Sequence, residues 1–210
     1  VRAVKWALDR LLAALGLVLF SPVFLLLALW ILVESGRPVI FRQRRAGKGA
    51  RPFSMLKFRT MVPNAVELGR ELQLSDDPFG LLPNDPRITR SGRFLRRTSL
   101  DELPQLWNVL RGQMSLVGPR PDLVEQVANY EPGDRRRLDV KPGITGWAQV
   151  MGRDEIPWEE RFRLDAWYVD NWSLRLDARI VLMTFTQLGR PEPEPVEDTL
   201  NIERAKRSGP

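Results

Sequence analysis

Hydrophobic and polar positions are unevenly distributed, and the largest irregularity comes first. Leu11 to Val33 is an uncharged run of 23 residues, longer than the ~20 apolar residues that cross a bilayer core. Ser21-Pro22 sits near its middle. Proline deletes one helical hydrogen bond and clashes with the preceding turn, so a kink is expected there, with the Ser21 hydroxyl free to satisfy the released carbonyl. The run is too long for the core of a signal peptide, lacks a small-residue cleavage site and continues into Glu34, Gly36 and Arg37, so retention is expected.

Beyond it the periodicity shortens. Extended patches are predicted at Pro38 to Phe41 and Pro52 to Phe58, around a Gly47-Lys48-Gly49 turn. A helix is predicted from Asn64 to Leu74, then a loop rich in Asp, Pro and Gly from Ser75 to Pro86. Leu95, Leu103, Leu106, Val109 and Leu110 keep helical spacing across Arg87 to Gly112, interrupted by Pro104. Gly118-Pro119-Arg120-Pro121 reads as a stiff extended element, Leu123 to Tyr130 as a short helix, and Lys141 to Gly152 as a Pro-Gly turn followed by the β-leaning Ile144 to Val150. Two more helices are expected, Pro157 to Asn171 and Leu176 to Leu188; the second is too short to span and suits a core or an interface. Trp158, Trp167, Tyr168 and Trp172 fit a headgroup band and a soluble core equally well. Past Arg190 the PEPEP tract predicts a disordered tail.

Composition narrows the chemistry. The chain has 210 residues with neither cysteine nor histidine. Disulfides, thiolate metal sites and histidine bases are excluded, which leaves carboxylates, lysine, arginine, hydroxyls or a hard metal ion. Residues 1–60 hold eleven Lys/Arg against two acids although the whole chain carries only +6. This clustering favours an anionic membrane surface over a nucleic-acid face. Arg2, Lys5 and Arg10 flank the apolar run on one side, and Arg37, Arg42, Arg44, Arg45, Lys48 and Arg51 on the other. The positive-inside rule keeps both flanks in the cytoplasm, which suits a helix that enters and returns; a spanning helix with a mid-helix proline stays open as well.

Arg87 to Asp101, RITRSGRFLRRTSLD, places five arginines before the adjacent acids Asp101 and Glu102. Guanidinium groups hold a neighbouring carboxylate ionised and offer forked donors to phosphate oxygens. A plainer reading competes: Ser99-x-x-Glu102 matches a capping box, with Pro104 in the first helical turn. Lys57-Phe58-Arg59-Thr60 and Pro119-Arg120-Pro121-Asp122 add two further cationic sites. With the membrane segment they suggest an enzyme that handles a phosphorylated, lipid-linked substrate.

KFRTM (57–61), DPRITRSGRFLRRTSLDELPQLWNVLRGQMSLVGPRP (85–121) and VKPGITGWAQVMGR (140–153) resemble, in order, motifs of the bacterial sugar transferases, the monotopic phosphoglycosyl transferases. The resemblance runs from the apolar segment to about Leu188, and the length is similar to that of the small members. It implies an α+β, mostly helical fold with three parts: a re-entrant helix broken at Ser21 and Pro22 (residues 1–36), a small cytoplasmic catalytic domain with interfacial amphipathic helices (37–189), and a tail (190–210). It implies transfer of a sugar 1-phosphate from a nucleotide sugar, usually a UDP-sugar, to polyprenyl phosphate with release of UMP, at the cytoplasmic face of a bacterial inner membrane. By the same resemblance Asp101 is the nucleophile that carries a covalent phosphosugar, Glu102 binds Mg²⁺, and Asp165 matches an acidic position. Pro119, Arg120 and Pro121 match a motif associated with the nucleotide end. Lys57, Arg59 and Arg96 are the candidates for phosphate contact.

The expected partners are nucleotide sugar, polyprenyl phosphate and membrane lipid, with no nucleic acid and a homodimer left open. Met151, Asp154 and Gln113 depart from the family pattern and put any borrowed sugar specificity in doubt. A silent membrane adaptor binding through residues 37–59 and a UDP-sugar hydrolase are the competing functions.

Overall fold

The structure is a computed structural model that describes residues 2–72, 85–152 and 156–187. The predicted loop over Ser75 to Pro86 lies almost wholly outside these, as do Asp154 and the tail.

The apolar run forms two helices, α1 (Arg2–Leu19) and α2 (Ser21–Ser35), bent by 62° at Phe20. Among the described residues no single helix is long and apolar enough to cross a membrane. Pro22 lies in the first turn of α2, where its missing N–H has no helical partner to lose. The carbonyl it frees is that of Val18, and the Ser21 hydroxyl donates to it at 2.8 Å, as the sequence predicts.

The antiparallel hairpin β1 (Ile40–Ala46) and β2 (Pro52–Phe58) follows. β1 is longer than its apolar residues suggest because Arg42 and Arg44 lie on an exposed strand face. Helix α3 (Ala65–Glu71) precedes α4 (Arg90–Thr98), α5 (Gln105–Leu110), β3 (Ser115–Val117) and α6 (Val124–Ala128). Strand β4 (Gly143–Thr145) pairs in parallel with β3 and leads into α7 (Trp147–Gly152), α8 (Trp158–Asn171) and α9 (Leu174–Gln187). The β-leaning stretch from Ile144 is therefore strand only as far as Thr145, and Trp147 onward is helical. The product is mostly helical with two small sheets.

Apolar clusters join the helix pair to the rest. Ala13 and Gly16 are small enough for α1 to press onto α5, where Leu106 Cδ1 lies 3.2 Å from the position of a Cβ on Gly16, and Ala13 packs with Phe53, Met55, Val109 and Met114. Leu27 and Ile31 of α2 pack with Phe58 of β2 and Leu95 of α4. The opposite side of the pair is bare: Leu11, Leu15, Val18, Leu19, Leu26 and Val33 are all exposed. The basic flanks are not uniformly surface charge. Lys5 is buried and pairs with Asp177 of α9 at 2.6 Å, because α1 turns a polar face onto the domain.

Candidate active site

Helix α4 ends where Ser99 adopts a left-handed conformation (φ 56°), and its N–H reaches the Arg96 carbonyl at 3.0 Å. The next residues form a short 3-10 turn, Leu100–Glu102. The interruption expected at Pro104 thus comes five residues earlier. The capping box does not form: the Ser99 side chain makes no capping bond, and Glu102 turns to Lys57 and Arg120.

Strand alternation brings Lys57 there. Phe53 and Met55 share its face of β2 and are buried in the core, so Lys57 is the polar end of an apolar face. Its Nζ lies 2.8 Å from Glu102 Oε1 and 3.5 Å from Asp101 Oδ2. Arg120 Nη1 reaches the same Glu102 oxygen at 3.2 Å. Asp101 is buried.

The two acids titrate differently. Burial alone would raise Glu102, but the Lys57 and Arg120 charges and hydrogen bonds override it and bring its pKa down to about 2. Burial raises Asp101 above the usual carboxylate range; Lys57, Arg96 and Arg120 pull it down less than burial and the Glu102 charge push it up. The sequence predicts instead a low pKa for Asp101, set by the preceding arginines. Those arginines mostly serve elsewhere. Arg87 is buried in a forked pair with Asp85, at 2.9 Å and 2.6 Å, and Arg96 Nε donates to Thr60 Oγ1 at 2.9 Å while still acting on Asp101 by its charge.

Pro119-Arg120-Pro121 is fixed from behind. A Cβ on Gly143 would stand 2.1 Å from Gly118 N, so only glycine lets the two strands close at that point. Arg137 is buried; its Nη2 donates to the Arg120 carbonyl at 2.9 Å, its Nη1 to Tyr130 Oη at 2.6 Å, and it pairs with Asp122 and with Asp165 at 2.7 Å. Asp165 therefore joins this buried network and not the Asp101–Glu102 pair, and burial raises its pKa against the pull of Arg137. Arg45, read in the sequence as flanking charge, donates to the Pro121 carbonyl at 3.2 Å. Burial first, then Arg120, lowers its pKa to about 10.

Arg59 also leaves the carboxylate pair. Its Nη2 donates to the carbonyls of Ser35 and Gly36, each at 2.8 Å, and to Ser35 Oγ at 2.7 Å, closing the C-terminal end of α2. Next to it, Glu34 accepts from the N–H groups of Arg90 and Ser91 at 2.7 and 2.9 Å, and the Thr89 hydroxyl accepts from Gly92. Gly92 is obligatory because a Cβ there would lie 2.0 Å from the Thr60 carbonyl oxygen. Arg45, Arg137, Tyr130 and Glu34 carry no site signal in the sequence. Of the departures, Gln113 accepts from Asn108 Nδ2 at 2.8 Å, a role an acid would fill equally, and Met151 is exposed.

A bacterial sugar transferase model matches residues 1–190. The chain belongs to that family. Bacterial sugar transferases similar to it include the uncharacterized sugar transferase EpsL of Bacillus subtilis, 46% identical over 178 residues, or 84% of this chain and 83% of EpsL. The exopolysaccharide production protein ExoY of Rhizobium meliloti is 40% identical over 86% of this chain and 83% of its own length. The undecaprenyl-phosphate galactose phosphotransferase of Salmonella typhimurium is 43% identical over 87% of this chain. The chain spans 40% of that longer relative.

Proposed function

We propose that the chain transfers a sugar 1-phosphate from a UDP-sugar to polyprenyl phosphate, through a covalent phosphosugar on Asp101, as the first membrane step of glycoconjugate assembly. The observation that carries this is the Asp101–Glu102 turn facing Lys57 and Arg120. Relatives named as undecaprenyl-phosphate galactose phosphotransferase and as UDP-glucose:undecaprenyl-phosphate glucose-1-phosphate transferase support the substrates.

Asp101 attacks the phosphorus that bears the sugar; the bond from that phosphorus to the bridging oxygen breaks, and UMP leaves with the electron pair. An oxygen of polyprenyl phosphate then attacks the same phosphorus and Asp101 departs as carboxylate. Splitting the transfer means the two anionic substrates need not be bound together. Burial makes Asp101 a stronger nucleophile once ionised, while Lys57 and Arg120 offer positive charge to the diphosphate oxygens. Arg137 holds the Arg120 backbone in place.

Mg²⁺ fits these residues. Among the described residues no three acids converge, and a hard ion that completes its shell with phosphate and water needs only one or two carboxylates. Glu102 would hold it, since it stays ionised and both its cationic partners bind the same oxygen, Oε1. The ion would neutralise phosphate charge during attack.

The exposed apolar residues of α1 and α2 support burial in the hydrocarbon, and the 62° bend with the basic flanks supports re-entry from the cytoplasmic face. Single cysteines at Ala3 and Ser54, both exposed, should react with an impermeant thiol reagent only after permeabilisation; labelling of Ala3→Cys from outside would show a spanning helix. For the reaction, UMP release from a UDP-sugar panel should require Mg²⁺, stop in EDTA and yield lipid product only with polyprenyl phosphate. Rapid UMP release with no protein adduct and no acceptor would indicate a hydrolase instead.

A further inference from the structure

A second cationic site lies outside the carboxylate cluster. Lys48, in the turn between β1 and β2, and Lys141, just before β4, each place Nζ over the ring of Trp6, at 5.4 and 4.5 Å from its centroid. Two ammonium groups from distant parts of the chain are thus gathered on one indole of α1. They border an open cleft of about 350 Å³, lined also by Lys5, Ser115 and Trp172.

Carboxylates near this cleft are taken by groups other than Lys48 and Lys141. Asp177 takes Lys5 at 2.6 Å, Asp9 takes the Ser115 hydroxyl at 2.6 Å, and Asp139 takes Arg136 at 2.7 Å. Neither Lys48 nor Lys141 forms an ion pair among the described residues. Burial, and then the charges of Arg10, Lys48 and Lys5 against that of Asp9, lower the pKa of Lys141, and three cations act on it against that one acid. Like charges fixed together with too little counter-charge are unfavourable unless an anion completes them. An indole beneath them adds a flat amphipathic wall suited to the headgroup region.

We propose that Lys48, Lys141 and Trp6 form a binding site for a phosphate group, separate from the Asp101–Glu102 pair, and that the bilayer supplies that group as an anionic phospholipid headgroup. The lipid source rests on the membrane reading given above. Trp6 precedes Leu11 by five residues, about 7.5 Å along a helix, which puts the ring at headgroup depth when the apolar run lies in hydrocarbon. A headgroup bound there would clamp the hairpin turn and the β4 approach to the base of α1.

The test uses the full chain in detergent, titrated with short-chain phosphatidylglycerol or phosphatidylcholine, with adducts counted by native mass spectrometry. Phosphatidylglycerol should bind preferentially, and Lys48→Gln or Lys141→Gln should each weaken it about fivefold. The double variant should show no preference; if it fails to fold, the two single variants decide. Equal binding of the two lipids, or unchanged phosphatidylglycerol binding in the single variants, would overturn the site. Displacement of the lipid by millimolar inorganic phosphate or UMP would overturn the lipid assignment. UMP release by the same variants, whose substitutions lie outside the Asp101 machinery, is measured in parallel and stands or falls independently.

Discussion

Two clusters of acids and cations meet at Arg120 through different atoms. In front, its guanidinium joins Lys57, Asp101 and Glu102; behind, its carbonyl accepts from Arg137, which also binds Asp122, Tyr130 and Asp165. The rear cluster shares one guanidinium between two carboxylates and is sealed from solvent, with Arg137 and Asp165 almost wholly buried. In the front cluster one acid is held at about 2 and its neighbour is raised. Equal residue types thus serve two ends: a buried network fixes the backbone, and an unequal pair keeps one carboxylate ionised and raises the pKa of the other.

The sharpest way to separate the two is Asp101→Asn. It should leave thermal stability unchanged and reduce turnover by about 10⁴-fold or more, with the phosphosugar adduct gone from the intact mass; substantial turnover would remove Asp101 from its role. Arg137→Met should do the reverse in kind, leaving two acids without their cation. The expected loss of about 3–5 kcal/mol lowers the melting temperature by roughly 10 °C; an unchanged melt would mean that the network is not a support.

Arg120→Ala touches both clusters but keeps the carbonyl, so stability should hold while turnover falls about 100-fold; Arg120→Lys, a point charge without the fork, should recover only part. Lys57 sharpens the front cluster through pH. In the proposed mechanism Asp101 attacks in its ionised form, so activity should fall as pH drops through its raised pKa, while Glu102 stays charged down to about 2. Lys57→Met withdraws a charge that favours the ionised form, so the acidic limb of the rate profile should move to higher pH. The smallest effect is expected of Asp165→Asn, within about threefold in kcat and KM because it works through Arg137; a KM rise of about tenfold or more would make Asp165 a substrate contact.

Features that depend on near neighbours were legible in the sequence. The Ser21–Val18 bond, and α8 and α9 to within two residues, follow from local pattern. The turn bearing Asp101 and Glu102 was not legible in its form, because Ser99-x-x-Glu102 fits a capping box until Lys57, 45 residues away, claims the glutamate. Arg137 looks like its neighbours Arg135 and Arg136, and only packing against Tyr130 and Phe162 decides which of the three goes inside. Lys5 reads as basic flanking charge, yet it and Asp9 are buried where α1 meets Asp177 and Ser115.

Glu34 and Arg59 make the apolar helices more than a detachable tether. A chain trimmed at Gly36 to gain solubility would lose the carboxylate that holds the Arg90 and Ser91 amides, strip Arg59 of its Ser35 acceptors and uncover Phe58 and Leu95. The turn bearing Asp101 follows directly from that helix. Anyone engineering a soluble version must therefore rebuild this corner of the enzyme, since deleting the hydrophobic segment removes part of the scaffold on which Asp101 stands.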